Sequence, residues 1–418
     1  MRIPNGKSPA ASEPAGHHHC HLLLAFFLLL PILFSFPALV QGGDFRWLPT
    51  IQLKGEYDDN ITFDNDNEIS DELFTCSPGV TFSYLTERAS LDGSLGLDIL
   101  RYFDESDFNT EYQRYRVDGS YQLSEKFRGQ ASASFIKDTT LESELDETGL
   151  RNYREDRQRW NLGGGISYQL NQRTSWQLNY TYGKTNYDGN ENIDYDSHTV
   201  VGQLNRLLDN QRDTVTLQPY YNYYDSSIST VNNYGLQIGW NHKVNETFEI
   251  TVFGGARYTH SKYRRHFYRL VFIPYPVYVL DKETETDGNW GGVADVLLRK
   301  TTERWSATLD YSRDLSYGSS GETLQHDRIT GHFQYRISTR LQAGFTTGFS
   351  LSKSDDQYSD EDSQYYHFSP NLNYKLTENH RLGITYTYAH MYDKTLSENS
   401  KYDRNRIWIS LTFRFPQS

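Results

Sequence analysis

One pattern recurs from about residue 48 to Phe415, in which large apolar and polar side chains alternate over segments of about ten residues. In residues 160 to 170, for example, an apolar side chain or glycine occupies every second position. Because successive side chains of a β-strand point to opposite faces, each segment has one apolar face and one polar face. Tyr, Trp and Phe cluster near the ends of the apolar faces, as is typical of strands that cross a lipid-water boundary. The alternation therefore predicts an all-β fold, a single transmembrane antiparallel β-barrel.

The composition fits such a barrel better than a helical membrane protein. Only 37% of the residues are hydrophobic, whereas 15% are aromatic, including 33 Tyr and 22 Phe. In a barrel only one residue in two on each strand meets lipid, so the chain as a whole can remain polar.

The first 42 residues have a different character from the rest of the chain. Arg2 and Lys7 precede an apolar run over residues 22 to 40, and residues 40 to 42 offer a cleavage site with small side chains. This arrangement predicts a secretory signal peptide over residues 1 to 42 and a barrel over residues 43 to 418. The alternative is an uncleaved anchor, which the prolines and serine within the run disfavour.

Eighteen alternating segments can be counted, and no helical period appears after residue 43. They lie near residues 48–58, 72–85, 88–102, 111–123, 127–138, 156–170, 174–186, 195–208, 213–225, 231–243, 247–263, 287–300, 303–317, 323–338, 340–353, 363–376, 380–393 and 402–415. Tight polar turns alternate with longer loops rich in Asp, Asn and Ser, which predicts short periplasmic turns and long extracellular loops. About 18 strands are expected, and 16 remains an alternative.

Several other classes of site and function are disfavoured. His17, Cys20 and their neighbours would leave with the signal, so Cys76 would have no intramolecular disulfide partner and no metal site is expected. The acidic loop over residues 58 to 68 lacks the spacing of a calcium loop, so we expect a solvated loop rather than a cation site. The net charge of −13 argues against nucleic acid as a partner.

No enzyme or cofactor is expected either. The histidines after residue 43 are scattered without a repeated nucleophile or acid partner. Residues 163 to 165 are three glycines inside a strand with no helix following, so they are not a phosphate loop. Small residues at that place favour a bend of the barrel or a neighbouring side chain that lies over the strand.

The last alternating segment ends in an aromatic pair, Phe413 and Phe415. This resembles the terminal strand by which outer-membrane proteins are recognised by the barrel insertion machinery. Residues 416 to 418 depart from the usual pattern, in which the aromatic residue is the last one. An ordinary edge strand is the alternative.

Two short motifs carry a family resemblance. Residues 55 to 61 (Gly-Glu-Tyr-Asp-Asp-Asn-Ile) and residues 77 to 80 (Ser-Pro-Gly-Val), together with the repeated hairpins, resemble a family of outer-membrane β-barrel porins. Some members are associated with exopolysaccharide loci and the exosortase (PEP-CTERM) protein-sorting system. The resemblance implies the outer membrane of a Gram-negative bacterium, with outer-membrane lipid and the insertion machinery as partners. It implies a saccharide polymer or periplasmic export proteins more weakly.

Assigning the apolar positions to lipid places several arginines in the lumen. The predicted pore-lining residues are Arg114, Arg116, Arg157, Arg159, Arg328, Arg336 and Arg406. A water-filled tube lined in this way concentrates anionic solutes, and Arg offers two parallel hydrogen bonds to a carboxylate. The sequence therefore predicts a pore for anionic or polyhydroxylated solutes. The alternative is that these arginines pair with lumen acids and only brace the wall.

One stretch, residues 264 to 286, departs from the acidic character of the other loops. Its centre comprises Phe272, Ile273, Pro274, Tyr275 and Pro276. Three interpretations stay open: a hairpin that extends two strands beyond the membrane, a constriction folded into the lumen, or a docking surface for a partner.

The leading functional expectation is an outer-membrane channel for passive diffusion or for secretion of a saccharide polymer. The alternative is a non-conducting structural or assembly barrel that docks periplasmic or extracellular partners.

Overall fold

The barrel wall consists of antiparallel strands alone. The computed structural model describes residues 43 to 416 except 149–153, 190, 274, 319–322, 355–361 and 395–399. Within these residues it has 18 strands. They are β1 Asp44–Asp58, β2 Asp71–Leu85, β3 Ala89–Tyr102, β4 Thr110–Gln122, β5 Phe127–Thr139, β6 Asp156–Asn171, β7 Thr174–Tyr187, β8 Tyr195–Leu207, β9 Asp213–Ser226, β10 Ser229–Asn245, β11 Phe248–Ile273, β12 Tyr275–Thr301, β13 Trp305–Tyr317, β14 Thr323–Arg336, β15 Leu341–Ser354, β16 Asp362–Lys375, β17 His380–Asp393 and β18 Ser400–Arg414. The prediction of eighteen strands is confirmed, and sixteen is wrong.

The sheet closes on itself. Each strand pairs with the next along the chain, and β1 pairs with β18, for example at Ile51↔Phe413 and Leu53↔Leu411. Because of this closure, the backbone groups of residues 50 to 58 of β1 are paired with those of residues 406 to 414 of β18. The all-β antiparallel barrel predicted from the alternation is therefore confirmed.

The two faces of the wall differ as the alternation requires. On β6 the outward residues Trp160 and Leu162 are exposed, while the inward Arg157 is buried. On β18 the outward residues Ile407 and Ile409 are exposed in the same way. Exposed apolar surface costs about 25 cal/mol per Å² in water, so a band of such residues around the cylinder is stable only in contact with lipid. Among the described residues, no helix is long and apolar enough to cross a membrane.

The connections differ at the two rims. Turns such as residues 86 to 88 and 172 to 173 are tight, and they alternate with longer connections such as residues 59 to 70. An exception on the long-loop rim is the connection of β9 to β10, which consists only of Ser227 and Ile228. We label the rim of the tight turns periplasmic and the other rim extracellular, following the usual architecture of such barrels.

The strands β11 and β12 are much longer than predicted. They pair without interruption from Phe248↔Lys300 to Ile273↔Tyr275, whereas β12 pairs with β13 only from Ala294 to Thr301. A hairpin that extends these two strands was one of the three interpretations of residues 264 to 286, and the uninterrupted pairing agrees with it. The strand ends could not be placed from the sequence because this stretch lacks a regular alternation of polar and apolar side chains. The result is a hairpin that continues past the strands beside it and a short seam between β12 and β13.

The connection of β5 to β6 contains a helix that the sequence did not reveal. This helix, α1, spans Thr140–Thr148, and a turn of 3-10 helix lies at Ser106–Phe108. Only Leu141 and Leu145 give α1 an apolar face, and two positions are too few to establish a helical period. Helices this short are marginal in water without tertiary contacts, so α1 depends on what it packs against.

Candidate functional site: the barrel lumen

The first extracellular loop folds into the barrel. Phe63, in the connection of β1 to β2, is completely buried. Its ring stacks on Tyr402 of β18 with the centroids 5.7 Å apart, and it meets the edge of Tyr365 of β16 at 6.5 Å. Both tyrosines occupy inward positions of their strands, so the loop occupies lumen space at the extracellular end.

The helix α1 packs into the same cluster. Leu141 and Leu145 are buried together with Phe63, Ala389 and Met391. The helix starts at the end of β5, whereas its partners lie on β16, β17 and β18, so it reaches from one part of the wall to another. At its end, Ser352 of β15 donates a hydrogen bond to the carbonyl of Thr148. Residues 59 to 70 and α1 together form what we call the extracellular constriction.

A buried ion pair anchors the loop half of this constriction. Asp58, at the end of β1, is 1% exposed, and Arg404 of β18 is 7% exposed. The Nε of Arg404 donates to Oδ1 and Oδ2 of Asp58 at 3.0 Å. Oδ1 also accepts from the backbone N–H of Asn60 at 3.0 Å. The carboxylate thus ties the start of the loop to the strand that closes the barrel.

The acidic loop after Asp58 is organised by protein donors. The amide of Asn60 donates to the carbonyls of Asp64 at 2.7 Å and Asp403 at 3.0 Å. Within the described part of the chain, no group of three or more His, Cys, Asp or Glu side chains could hold a metal ion.

Two of the predicted pore-lining arginines instead hold the helix. Arg157 is 2% exposed, and its Nε donates to Asp138 at 3.2 Å. Arg159 donates to the same carboxylate at 3.0 Å and to Glu147 of α1 at 2.7 Å. Asp138 was not identified from the sequence as a partner of these arginines. The strand register could have revealed it, since Asp138 faces Arg157 directly across β5 and β6.

Two other predicted pore-lining arginines form ion pairs but remain exposed to solvent. The side chains of Arg114 and Arg116 on β4 are 56% and 67% exposed. Arg114 contacts Asp98 of β3, and the Nε of Arg116 donates to Asp118 at 2.6 Å. Because their strand positions face inward, this exposure is to the lumen.

The remaining three arginines lie elsewhere on the wall. Arg328 is half-buried on β14, and Arg336 is exposed near the periplasmic end of the same strand. Arg406 of β18 lies 3.9 Å from Glu56 and has its guanidinium 6.0 Å from the ring centre of Trp408. The seven arginines therefore line separate strips of the lumen and do not converge on one point.

The hydrophobic segment and the terminal aromatics also have definite places. Phe272, Ile273, Tyr275 and Pro276 lie at the paired tip of β11 and β12, and Pro274 lies outside the described residues. Phe413 pairs with Ile51 of β1 and with His380 of β17. The backbone N–H of Phe415 donates to the carbonyl of Pro49 at 3.0 Å, and its side chain is exposed.

A second apolar cluster narrows the lumen near the seam. Tyr224 of β9 is fully buried, and its ring stacks on Tyr317 of β13 with centroids 4.2 Å apart. Val231 of β10 and Leu315 of β13 complete the cluster. It was not predicted, because nothing in the local sequence indicates that β13 reaches across to β9.

Below the extracellular constriction the wall of β3 to β7 carries an open recess. Its volume is about 390 Å³. The inward side chains around it are small or polar: Ser90, Asp92, Asp118, Ser120, Arg128, Gln130, Ser132, Asn179 and Thr181. The floor is β6, where Gly163 and Gly165 occupy inward positions. This surface offers hydrogen-bond donors and acceptors and both signs of charge.

One family model matches part of the sequence. The model of a family described as "Putative MetA-pathway of phenol degradation" matches residues 59–194, about a third of the chain. No curated protein matches the sequence.

Among solved structures, the chain is similar to OccK2 (OpdF) of Pseudomonas aeruginosa, at 10% identity and a TM-score of 0.48, over 90% of this chain and 100% of that one. It is also similar to the siderophore receptor PirA of Pseudomonas aeruginosa, at 11% identity and a TM-score of 0.45, over 90% of this chain and 81% of that one. A third is the ferric-catecholate import receptor Fiu of E. coli K12, at 8% identity and a TM-score of 0.45, over 88% and 81% of the two chains.

Proposed function

We propose that this protein is an outer-membrane channel that passes small anionic or polyhydroxylated solutes. The proposal rests on one observation: the inner wall of the closed barrel carries charged side chains that are exposed to solvent, whereas its outer face is apolar. Arg114 and Arg116 are more than half exposed on that inner wall. An assembly that needed only a scaffold would gain nothing from keeping such side chains hydrated inside it.

The arginine of the Arg116–Asp118 pair is 67% exposed to the lumen and therefore more accessible than its acid partner, which supports a preference for anions. Arg116 shares its charge with a single carboxylate, Asp118, that is itself 40% exposed. An exposed pair of this kind contributes little to stability, and both of its charges remain accessible to ions in the lumen. The low-dielectric wall strengthens their effect on a passing solute.

The extracellular constriction supports selectivity by size. Phe63, Leu141 and Leu145 fill lumen space with a dry cluster, and Arg159 fastens α1 to the wall through Glu147. A solute must pass beside this cluster, so the channel should conduct less than an empty barrel of the same strand number. Export of a saccharide polymer through this protein would require the constriction to move.

Planar-bilayer recording of the purified protein tests the proposal. We expect discrete conductance steps in KCl and a reversal potential, in a salt gradient, that indicates anion preference. Strong cation preference would overturn the proposed selectivity.

The second candidate function is a non-conducting barrel that docks partner proteins, and the same constriction favours it. Its buried cluster joins β16 to β18 with α1, as a permanent seal would. Liposome swelling in sugars of graded size separates the two functions, because a sealed barrel admits none of them. Absence of both swelling and ion current would replace the channel by the docking function.

A further inference from the structure

The recess on β3 to β7 is built by missing side chains at two positions of β6. A Cβ added at Gly163 would lie 2.4 Å from Oγ of Ser132, and one at Gly165 would lie 2.2 Å from Oδ1 of Asn179. Such distances are too short for any real Cβ contact. The two glycines therefore let side chains of the neighbouring strands lie across β6, as residues without side chains in strand interiors often do.

The neighbouring amides meet over Gly165. Gln130 on β5 and Asn179 on β7 are its direct register partners, and Nε2 of Gln130 donates to Oδ1 of Asn179 at 2.7 Å. Each amide has one further group, the Oε1 of Gln130 and the Nδ2 of Asn179. These two atoms give the recess an acceptor and a donor side by side.

On β3 and β4, hydroxyl and carboxylate groups also line the recess. Ser90 and Ser120 face each other across β3 and β4, as do Asp92 and Asp118. The hydroxyls of Ser90 and Ser120 are 2.7 Å apart, and Nη2 of Arg128 donates to Ser120 at 2.6 Å. Asp118 is paired with Arg116, whereas Asp92 is exposed.

We propose that this recess is a binding subsite for a neutral, hydroxyl-rich carbohydrate segment. Among the residues that line the recess, Arg128 donates to Ser120 and is accompanied by the carboxylates of Asp92 and Asp118, so the recess offers no net positive charge to a free anion. Asp92 and Oε1 of Gln130 accept from sugar hydroxyls, and Nδ2 of Asn179 donates to them. A volume of about 390 Å³ lies within the usual range of ligand clefts, roughly 300 to 1,000 Å³. The inference deepens the proposed channel function and names a solute class for it.

The strand provides a matched pair of variants. Gly165→Val displaces the flexible ends of Gln130 and Asn179, both of which line the recess. Gly164→Val adds the same side chain one residue away, where an added Cβ meets nothing within 4 Å and points to the outer face. Since both changes place a β-branched residue in the same strand, any difference in sugar binding reports the recess.

Titration calorimetry on the full-length protein in detergent micelles tests the subsite with cellotetraose and isomaltotetraose, and with potassium sulfate as the anionic probe. We expect saturable binding of at least one tetrasaccharide by the unmodified protein and by Gly164→Val. We expect at least a tenfold weaker affinity for Gly165→Val, and a several-fold loss for Asp92→Asn. Heat-modifiable migration in gels checks folding, and Asn179→Ala replaces Gly165→Val if the latter does not fold.

Three outcomes would overturn the subsite: no tetrasaccharide binding, equal binding by the two valine variants, or binding of sulfate alone. Conductance of the same preparations separates this inference from the proposed function. A protein that conducts ions but binds no sugar loses the subsite and keeps the channel. One that binds sugar without conducting keeps the subsite and loses the channel.

Discussion

The extracellular constriction and the recess below it use the same kinds of residue in opposite ways. In the constriction, Arg157 is 2% exposed and fixed by Asp138. Next to the recess, on β4, Arg116 is 67% exposed and is paired with Asp118, which is 40% exposed. The difference is burial: one arginine holds structure together, and the other faces solute. Inward direction alone therefore does not identify a pore-lining charge.

The largest expected effect is on the anchor of the constriction. Asp58→Ala leaves Arg404 buried without its carboxylate, and breaking a buried pair in this way costs about 3–5 kcal/mol. Asp209→Ala is the control, because Asp209 is 94% exposed beside Arg173 and such pairs contribute about 0–1 kcal/mol. Urea unfolding of the barrel, followed by tryptophan fluorescence, measures both. Equal losses in the two variants would contradict the anchoring role.

A smaller loss of stability is expected from Arg157→Ser. The change leaves Asp138 with Arg159 as a remaining partner, so we expect a cost of about 3 kcal/mol, near the lower end for a broken buried pair. The same unfolding measurement checks it. A variant as stable as the unmodified protein, but altered in ion selectivity, would show that Arg157 faces solute after all.

Replacing α1 should change conductance more than selectivity. A Gly-Ser segment of equal length over residues 141 to 147 removes the buried leucines that hold the helix in the lumen. We expect a several-fold larger single-channel conductance with the barrel intact. Deletion of residues 270 to 280 is the comparison, and a similar increase there would show that the tip of the long hairpin also narrows the pore.

The smallest effect is expected from Arg116→Ser, which tests whether an exposed inward arginine sets ion selectivity instead of stability. Arg116→Ser removes a wet charge, so we expect little change in unfolding and a shift of about twofold in the anion-to-cation permeability ratio. Reversal potentials in a KCl gradient measure the shift. No change in the ratio would mean that the exposed arginines do not set selectivity.

The wall of this barrel could be predicted closely, because alternation is a local property of each strand. β17 has the predicted ends, His380 and Asp393, and most other strands differ by a few residues. The interior could not be predicted in the same way. Arg157 and Arg116 both face inward, but Arg157 lies at the extracellular end of its strand, where Asp138 and α1 bury it.

The helix α1 and the side chains that surround the β6 glycines could not be predicted because both depend on contacts between distant parts of the chain. α1 is stabilised by residues more than two hundred positions away, such as Tyr365 and Met391, and no local pattern encodes such contacts. The glycines of β6 were expected to accommodate a neighbouring side chain, and the neighbours prove to be Ser132, Gln130 and Asn179. Identifying them required the strand register.

The short seam between β12 and β13 determines where the barrel wall should open locally. With their shared ladder limited to residues 294 to 301 of β12, few backbone hydrogen bonds resist separation of these two strands. Local opening has its lowest free energy where the fewest bonds must break together. Amide protons along this line should therefore exchange with deuterium before those of the β5 and β6 ladder, and fraying of the wall should begin there.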